Sequence, residues 1–226
     1  MTGRRHAAPA ALLTVQGLGF AHPGETALFS GWQARLAPGL CWLAGDTGSG
    51  KTTLLRLLAG DLPAAPADGA HLTLGTVRLD RDPAAYRRQV CWFDPRDPAW
   101  DTLTPTGLMA AQRTLHPRLD QAAWQRHLAG FDLLAHGDKG FYALSTGSRR
   151  KAALAVALSS GPPLILLDEP TAGLDGPALR YLARALGEAD ARPDQLLLLA
   201  TSQGRDAVPG APAGRLITLA DRQSKG

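Results

Sequence analysis

Residues 45–53 read GDTGSGKTT, and no other stretch restricts the fold of this chain as tightly. Gly45, Gly50, Lys51 and Thr52 satisfy the pattern G-x-x-x-x-G-K-[ST]. Its glycines let the backbone turn a nest of N–H groups around phosphate oxygens. The pattern carries that meaning only between a strand and a helix. Residues 40–45 (LCWLAG) form a short apolar run suited to a buried strand, and residues 53–60 (TLLRLLAG) space their leucines for a helix. A strand–loop–helix unit is therefore predicted. Its phosphate-binding loop comprises Gly45, Asp46, Thr47, Gly48, Ser49 and Gly50, followed by Lys51, Thr52 and Thr53 at the helix start, where the dipole adds positive potential. Lys51 can reach terminal phosphates, and the Thr52 hydroxyl can ligate Mg²⁺. The motif points to nucleotide binding.

A second motif, LILLDEP, puts Asp168 and Glu169 at the C-terminal end of a wholly apolar strand. In an open parallel sheet that end is where ligands bind. Two adjacent carboxylates there are costly to bury without a cation. The economical reading is that Asp168 holds Mg²⁺, partly through water, while Glu169 polarises a water for attack on a γ-phosphate. Taken alone, the pair would read as an acidic turn at a strand end.

Bulk properties narrow the remaining classes. A chain of 226 residues suits one α/β domain with a sizeable core. The net charge of +4 comes from twenty arginines and four lysines against twenty acids. The arginines are scattered, so no nucleic-acid stripe is expected. Cys41 and Cys91 each adjoin a tryptophan in an apolar run, which predicts buried free thiols and fits a reducing compartment. Arg4 and Arg5 precede a weakly apolar stretch, but it is short and broken by Pro9, and is read as no export signal. No apolar run approaches the roughly 18 residues of a membrane-spanning helix, so any membrane segment is expected on another subunit.

Along the chain, residues 12–15 and 18–21 read as strands separated by Gly17, with 28–36 pairing beside them in an antiparallel layer. A Pro/Ala/Gly loop follows at 61–70, a strand at 72–79, a short helix at 81–88 and a buried strand at 90–93. From about 94 to 142 there are two helical patterns, 106–115 and 119–131, and no convincing strand. This segment reads as a helical subdomain inserted in a single domain spanning 1–226. A helix at 148–160, the strand 164–167, an amphipathic helix at 177–189, a strand at 196–200 and an edge strand at 215–219 complete the pattern.

The segments LSTGSRRKAALA (144–155) and LILLDEPTAGLD (164–175), lying downstream of the glycine-rich loop, resemble the ATP-binding cassette (ABC) ATPases. In that family a signature LSGGQ precedes a helix, which leads to the Asp-Glu strand and a D-loop of the form SGLD. Leu144, Ser145 and Gly147 match the signature, Thr146 and Ser148 depart from it, and Gly173, Leu174 and Asp175 match the D-loop. The resemblance spans about residues 12–219. It implies an α/β P-loop NTPase of ABC type: a mostly parallel central sheet flanked by helices, an N-terminal antiparallel β layer and a helical subdomain. ATP and Mg²⁺ are the implied ligands. A head-to-tail homodimer of cassettes is implied too, each ATP held between one loop and the partner's Ser145, Thr146, Gly147 and Ser148. The chain would be the ATPase subunit of an ABC transporter, cytoplasmic and held at the inner membrane face by a separate transmembrane permease. The 94–142 segment would dock on that permease, with Trp92, Trp100 and Trp124 as interface anchors or core. Nucleic-acid partners are not expected.

Three departures from the family pattern touch the sensing positions rather than the binding loop. Pro95 stands where the family has a glutamine that senses Mg²⁺; Asp94 or Asp97 can substitute, or DPRDP simply builds a turn. Ser202 stands where a histidine usually contacts the γ-phosphate, with Gln203 beside it as a candidate substitute. His22 falls where an aromatic residue stacks on adenine, and an imidazole can stack over a smaller area. A cassette that binds ATP with weak or no hydrolysis is the alternative reading.

Overall fold

The computed structural model describes residues 11–63, 70–92 and 98–219. The N-terminal arginines, the middle of the 61–70 loop, Phe93, Asp94, Pro95 and Asp97 lie outside the described residues.

Two sheets organise the chain. β1 (Leu13–Phe20) pairs antiparallel with β2 (Phe29–Leu36) on one side and with β4 (His71–Leu74) on the other. β5 (Val77–Arg78) completes the order β2-β1-β4-β5. The second sheet is parallel throughout: β6 (Val90–Trp92), β7 (Leu164–Asp168), β8 (Leu196–Thr201), β3 (Gly39–Ala44) and β9 (Arg215–Thr218), in that spatial order. β3 and β7, which carry the two motifs, are not neighbours, because β8 lies between them.

The parallel strands are buried on both faces, and alternation along each one divides the core. On β8, Leu197 and Leu199 face a core built with α5 (Thr146–Ser160) and α6 (Gly176–Asp190). Leu196, Leu198 and Ala200 face a second core built with α1 (Lys51–Ala59) and the antiparallel sheet. Cys41 and Cys91 are buried free thiols, pushed up to about 11 and about 12 by desolvation. α2 (Pro83–Arg87) leads into β6. Between β6 and α5 the described residues form α3 (Pro105–Leu115), α4 (Gln121–Gly130) and short 3₁₀ turns, with no strand among them.

Two expected strand boundaries need correction. The predicted pair 12–15 and 18–21 is one strand, β1, in which register shifts after Val15 and after Leu18 absorb Gly17 instead of ending the strand. The predicted single strand 72–79 is two, because Gly75 at φ 59° turns the chain back as a tight hairpin between β4 and β5. α5 also begins two residues earlier than its apolar pattern suggested, so Thr146 and Gly147 sit within its first turn.

The helical segment is packed against α6 through an aromatic joint. His127 Nδ1 lies 2.9 Å from the Tyr181 hydroxyl, which donates to the Arg126 carbonyl at 3.1 Å. Burial pushes His127 down to about 4, so its ring stays neutral in the core. Trp124 is buried in the same core, and Trp100 packs edge-on against Phe141 at 5.9 Å.

Candidate functional site

The glycine-rich loop leaves β3 at Gly45 and enters α1 at Gly50, which is held at φ 96°. A Cβ at that position would lie 2.9 Å from the Leu28 methyl groups, so both conformation and space require glycine. α2 to α6 each receive a side-chain N-cap, from Asp82, Thr104, Asp120, Ser145 and Asp175. α1 receives none. Its first-turn N–H groups are therefore left for something other than the chain's own side chains. The buried Ser49 hydroxyl likewise has no partner.

Lys51 is nearly buried and folds back over the loop. Its Nζ donates to the carbonyls of Gly45 at 2.7 Å and Asp46 at 3.0 Å, and lies 3.9 Å from Glu169 Oε1. The Lys51 side chain is 8% exposed and that of Glu169 is 39% exposed, so the acid faces the opening. Thr52 Oγ1 donates to Asp168 Oδ2 at 2.7 Å, joining the two motifs directly. Together His22, Glu25, Leu28, Thr47, Gly48, residues 50–53 and Glu169 surround a cavity of about 540 Å³. His22 stands edge-on to Phe20, with ring centroids 4.9 Å apart. A more apolar hollow of about 360 Å³ lies between β4 and α2, with no such loop around it.

Glu169 adopts φ 43°, a left-handed conformation that costs a non-glycine residue roughly 1–3 kcal/mol. Its N–H donates to the Ala200 carbonyl at 2.9 Å. Burial raises the Glu169 carboxyl above the usual range. Lys51 and the Ser202 backbone N–H oppose that shift, and the Asp168 carboxylate adds to it. This direction suits a group that must take up a proton. Ser202 and Gln203 are exposed just after β8.

The donor set fits a hard cation. A hydroxyl and a carboxylate oxygen 2.7 Å apart are Mg²⁺-type ligands. Among the described residues no cluster of three or more His, Cys, Asp or Glu exists that could hold a metal by itself. Mg²⁺ is suited to such a partial site because it keeps waters and takes phosphate oxygens.

Ser145, Thr146, Gly147 and Ser148 do not line this cavity; they form the start of α5, with Ser145 and Thr146 exposed and Gly147 and Ser148 half-buried. Ser145 Oγ accepts from the Ser148 N–H at 3.1 Å and donates to Ser148 Oγ at 3.0 Å. Gly147 packs against the segment after Glu169, where a Cβ would lie 2.6 Å from the Gly173 carbonyl oxygen. Asp175 caps α6 through the Ala178 N–H at 2.8 Å and pairs with Lys151 at 2.7 Å, which holds its carboxyl below the usual range.

Sequence reading missed Glu25 and Leu28 as cavity walls, and it missed Arg150, whose Nη1 donates to the Asp168 carbonyl at 2.7 Å. In SRRK, Arg150 reads as part of a solvated helix face, and no spacing rule distinguishes it.

The chain matches the family model described as ABC transporter over residues 35–172. It is 32% identical over 202 residues to the cytochrome c biogenesis ATP-binding export protein CcmA of Yersinia pestis bv. Antiqua, covering 89% of this chain and 90% of that protein. It is 37% identical over 154 residues to the aliphatic sulfonates import ATP-binding protein SsuB of Granulibacter bethesdensis, covering 67% and 57%. A solved ATP-binding subunit of an ABC transporter superposes with TM-score 0.72 at 23% identity, over 84% of this chain and 79% of that one. That likeness concerns the fold.

Proposed function

The chain belongs to the ABC transporter family, as an ATP-binding subunit with ATPase activity, and from that premise we propose how its residues divide the work. The observation that carries the reading is that Lys51, Thr52 and Glu169 line one cavity, with Asp168 hydrogen-bonded to Thr52 behind it, while the Ser145–Gly147 turn lies on a separate surface.

The nucleotide's phosphates take the bare N-terminus of α1, and Lys51 exchanges its loop carbonyls for β and γ oxygens. His22 borders the same cavity, within reach of a base stacked over the loop. Thr52 and Asp168 would hold Mg²⁺, which when bound would supply charge neutralisation across the phosphates. Glu169 orients the attacking water and receives its proton, its raised affinity for protons arising first from burial. The Ser202 N–H holds the Glu169 carboxylate in place, and Gln203 follows on the same exposed turn.

The N-terminus of α5 faces away from the chain's own cavity, and its dipole favours an anion brought from elsewhere. The partner proposed is a second copy, arranged head to tail. The signature turn Ser145–Thr146–Gly147–Ser148 then closes on the γ-phosphate bound to the other subunit, with the Asp175 loop beside it. A separate membrane subunit docks on the helical segment around 94–142. Supporting this are the exposed Tyr142 and Leu134 there and the absence, among the described residues, of a helix long and apolar enough to cross a membrane. Trp124 is buried in the core and presents no surface to that subunit.

A mixing experiment tests the composite site. Lys51→Ala removes the loop cation, and Thr146→Glu puts a repelling negative charge on the exposed signature turn without pressing on the loop after Glu169. Each variant alone should be inactive. A one-to-one mixture should recover about a quarter of wild-type ATPase, because random pairing gives half heterodimers with one intact site each. A mixture as silent as its components would overturn the head-to-tail site.

Ser202→His checks the sensing turn. An imidazole can bridge the γ-phosphate and the water, and each 1.4 kcal/mol gained in the transition state is worth about tenfold in rate. A several-fold rise in phosphate release is expected. If Ser202→His is neutral while Gln203→Ala lowers the rate, Gln203 performs the sensing instead.

A further inference from the structure

The Asp168–Glu169 peptide is held from both sides. Its N–H donates to the Ala200 carbonyl of β8 at 2.9 Å, and its carbonyl accepts from Arg150 Nη1 of α5 at 2.7 Å. The first bond belongs to the parallel sheet. The second is a charge-assisted bond from the helix that begins with the signature turn. Arg150 stands in the second turn of α5, in a crevice lined by Ala153, Leu154, Leu166 and Pro170, so its position follows that of the helix.

The grip falls where the backbone is least content. Glu169 sits at φ 43°, a conformation that persists only when its surroundings over-determine it. Rotating this peptide would release the strain and swing the Glu169 side chain away from the opening that it shares with Lys51. Two further contacts, Gly147 against the Gly173 carbonyl and Lys151 with Asp175, bind the same end of α5 to the loop after Glu169. Three attachments over one stretch of helix make the signature turn and the acidic loop a single body.

We infer that Arg150 is a positioning residue for Glu169, fixing the Asp168–Glu169 peptide from the signature helix. The inference rests on the reading of Glu169 as the group that orients the water. Its consequence is that the turn which meets the partner's nucleotide is tied, within one chain, to the acid serving that chain's own nucleotide. Displacing α5 displaces the acid, and each site therefore senses the occupancy of the other.

The test uses the full chain, assembled with its transporter where ATPase is measured. Arg150→Met keeps the stem and removes every donor; Arg150→Lys keeps a charged donor. Arg150→Met should lower kcat about tenfold, equivalent to about 1.4 kcal/mol in the transition state. KM and the equilibrium affinity for ATP should stay within twofold, because Arg150 does not itself line the cavity. Arg150→Lys should recover most of the loss. Amide hydrogen exchange should quicken at Glu169 in the Met variant while the neighbouring β7 and β8 amides keep their protection. If the Met variant does not fold, Arg150→Gln, too short to span to the carbonyl, is expected to give the same kcat loss and local exchange. An unchanged kcat, a parallel rise in KM, or exchange quickened across the whole sheet would overturn the inference. Glu169→Gln is run alongside: if it leaves turnover intact, the reading of Glu169 has failed. If it stops turnover while Arg150→Met does not, only the role given to Arg150 has failed.

Discussion

Lys51→Ala should weaken ATP binding by at least about a hundredfold while leaving the fold intact. The ammonium makes two charge-assisted hydrogen bonds in the free chain, to the carbonyls of Gly45 and Asp46. Phosphate oxygens would replace those acceptors with charged ones. Each such bond contributes roughly 1.5–3 kcal/mol, so losing two removes two or more powers of ten in affinity. The loop itself should survive, because the conformations of Gly48 and Gly50 and the contact of Gly50 with Leu28 do not depend on the lysine. Binding of a fluorescent ATP analogue measures the affinity, and the rise in Tm with saturating ATP gives an independent reading through linkage. The variant should lose that rise and keep the Tm of the nucleotide-free protein. Unchanged affinity would remove Lys51 from the site and, with it, the assignment of the loop.

The parts of this site that were legible in the sequence are those where chemistry dictates residue type at fixed spacing. Gly50, Lys51 and Thr52 each answer a local requirement: a left-handed turn, a mobile charge and a hydroxyl at the first helical turn. Asp168 and Glu169 could be located because a wholly apolar strand must end at the ligand face of a parallel sheet. Local breakers were harder to read. In sequence Gly17 reads as a break between two strands, yet register shifts beside it carry β1 through, whereas Gly75 inside an alternating run turns the chain back. Neither outcome is visible without the partner strands, since β2 and β4 supply the ladder that decides it. Contacts between distant segments were not legible at all. The hydrogen bond of Arg150 to the Asp168 carbonyl and the close approach of Gly147 to Gly173 depend on how α5 crosses the end of β7.

Glu169→Gln should separate binding from turnover more sharply than any other single change. Glutamine has the size of glutamate and can keep the backbone bond to the Ala200 carbonyl. Its amide cannot accept a proton from the attacking water, and loss of a general base typically costs 10²–10⁴ in rate, so phosphate release should fall by about that factor. A second effect acts in the same direction. Glu169 lies 3.9 Å from Lys51, facing the opening where a γ-phosphate would arrive. Removing one negative charge there lessens repulsion with the nucleotide while leaving Lys51 free to pair with it. ATP affinity should therefore hold or rise as turnover falls, and the nucleotide-bound head-to-tail pair should accumulate instead of reopening. Light scattering in Mg-ATP should show a dimer that the wild-type chain forms only transiently. Scattering from a monomer at every concentration, together with undiminished phosphate release, would contradict both the role of Glu169 and the shared site. A dimer with undiminished release would contradict the first alone, and the water would then have to be oriented by the Ser202–Gln203 turn.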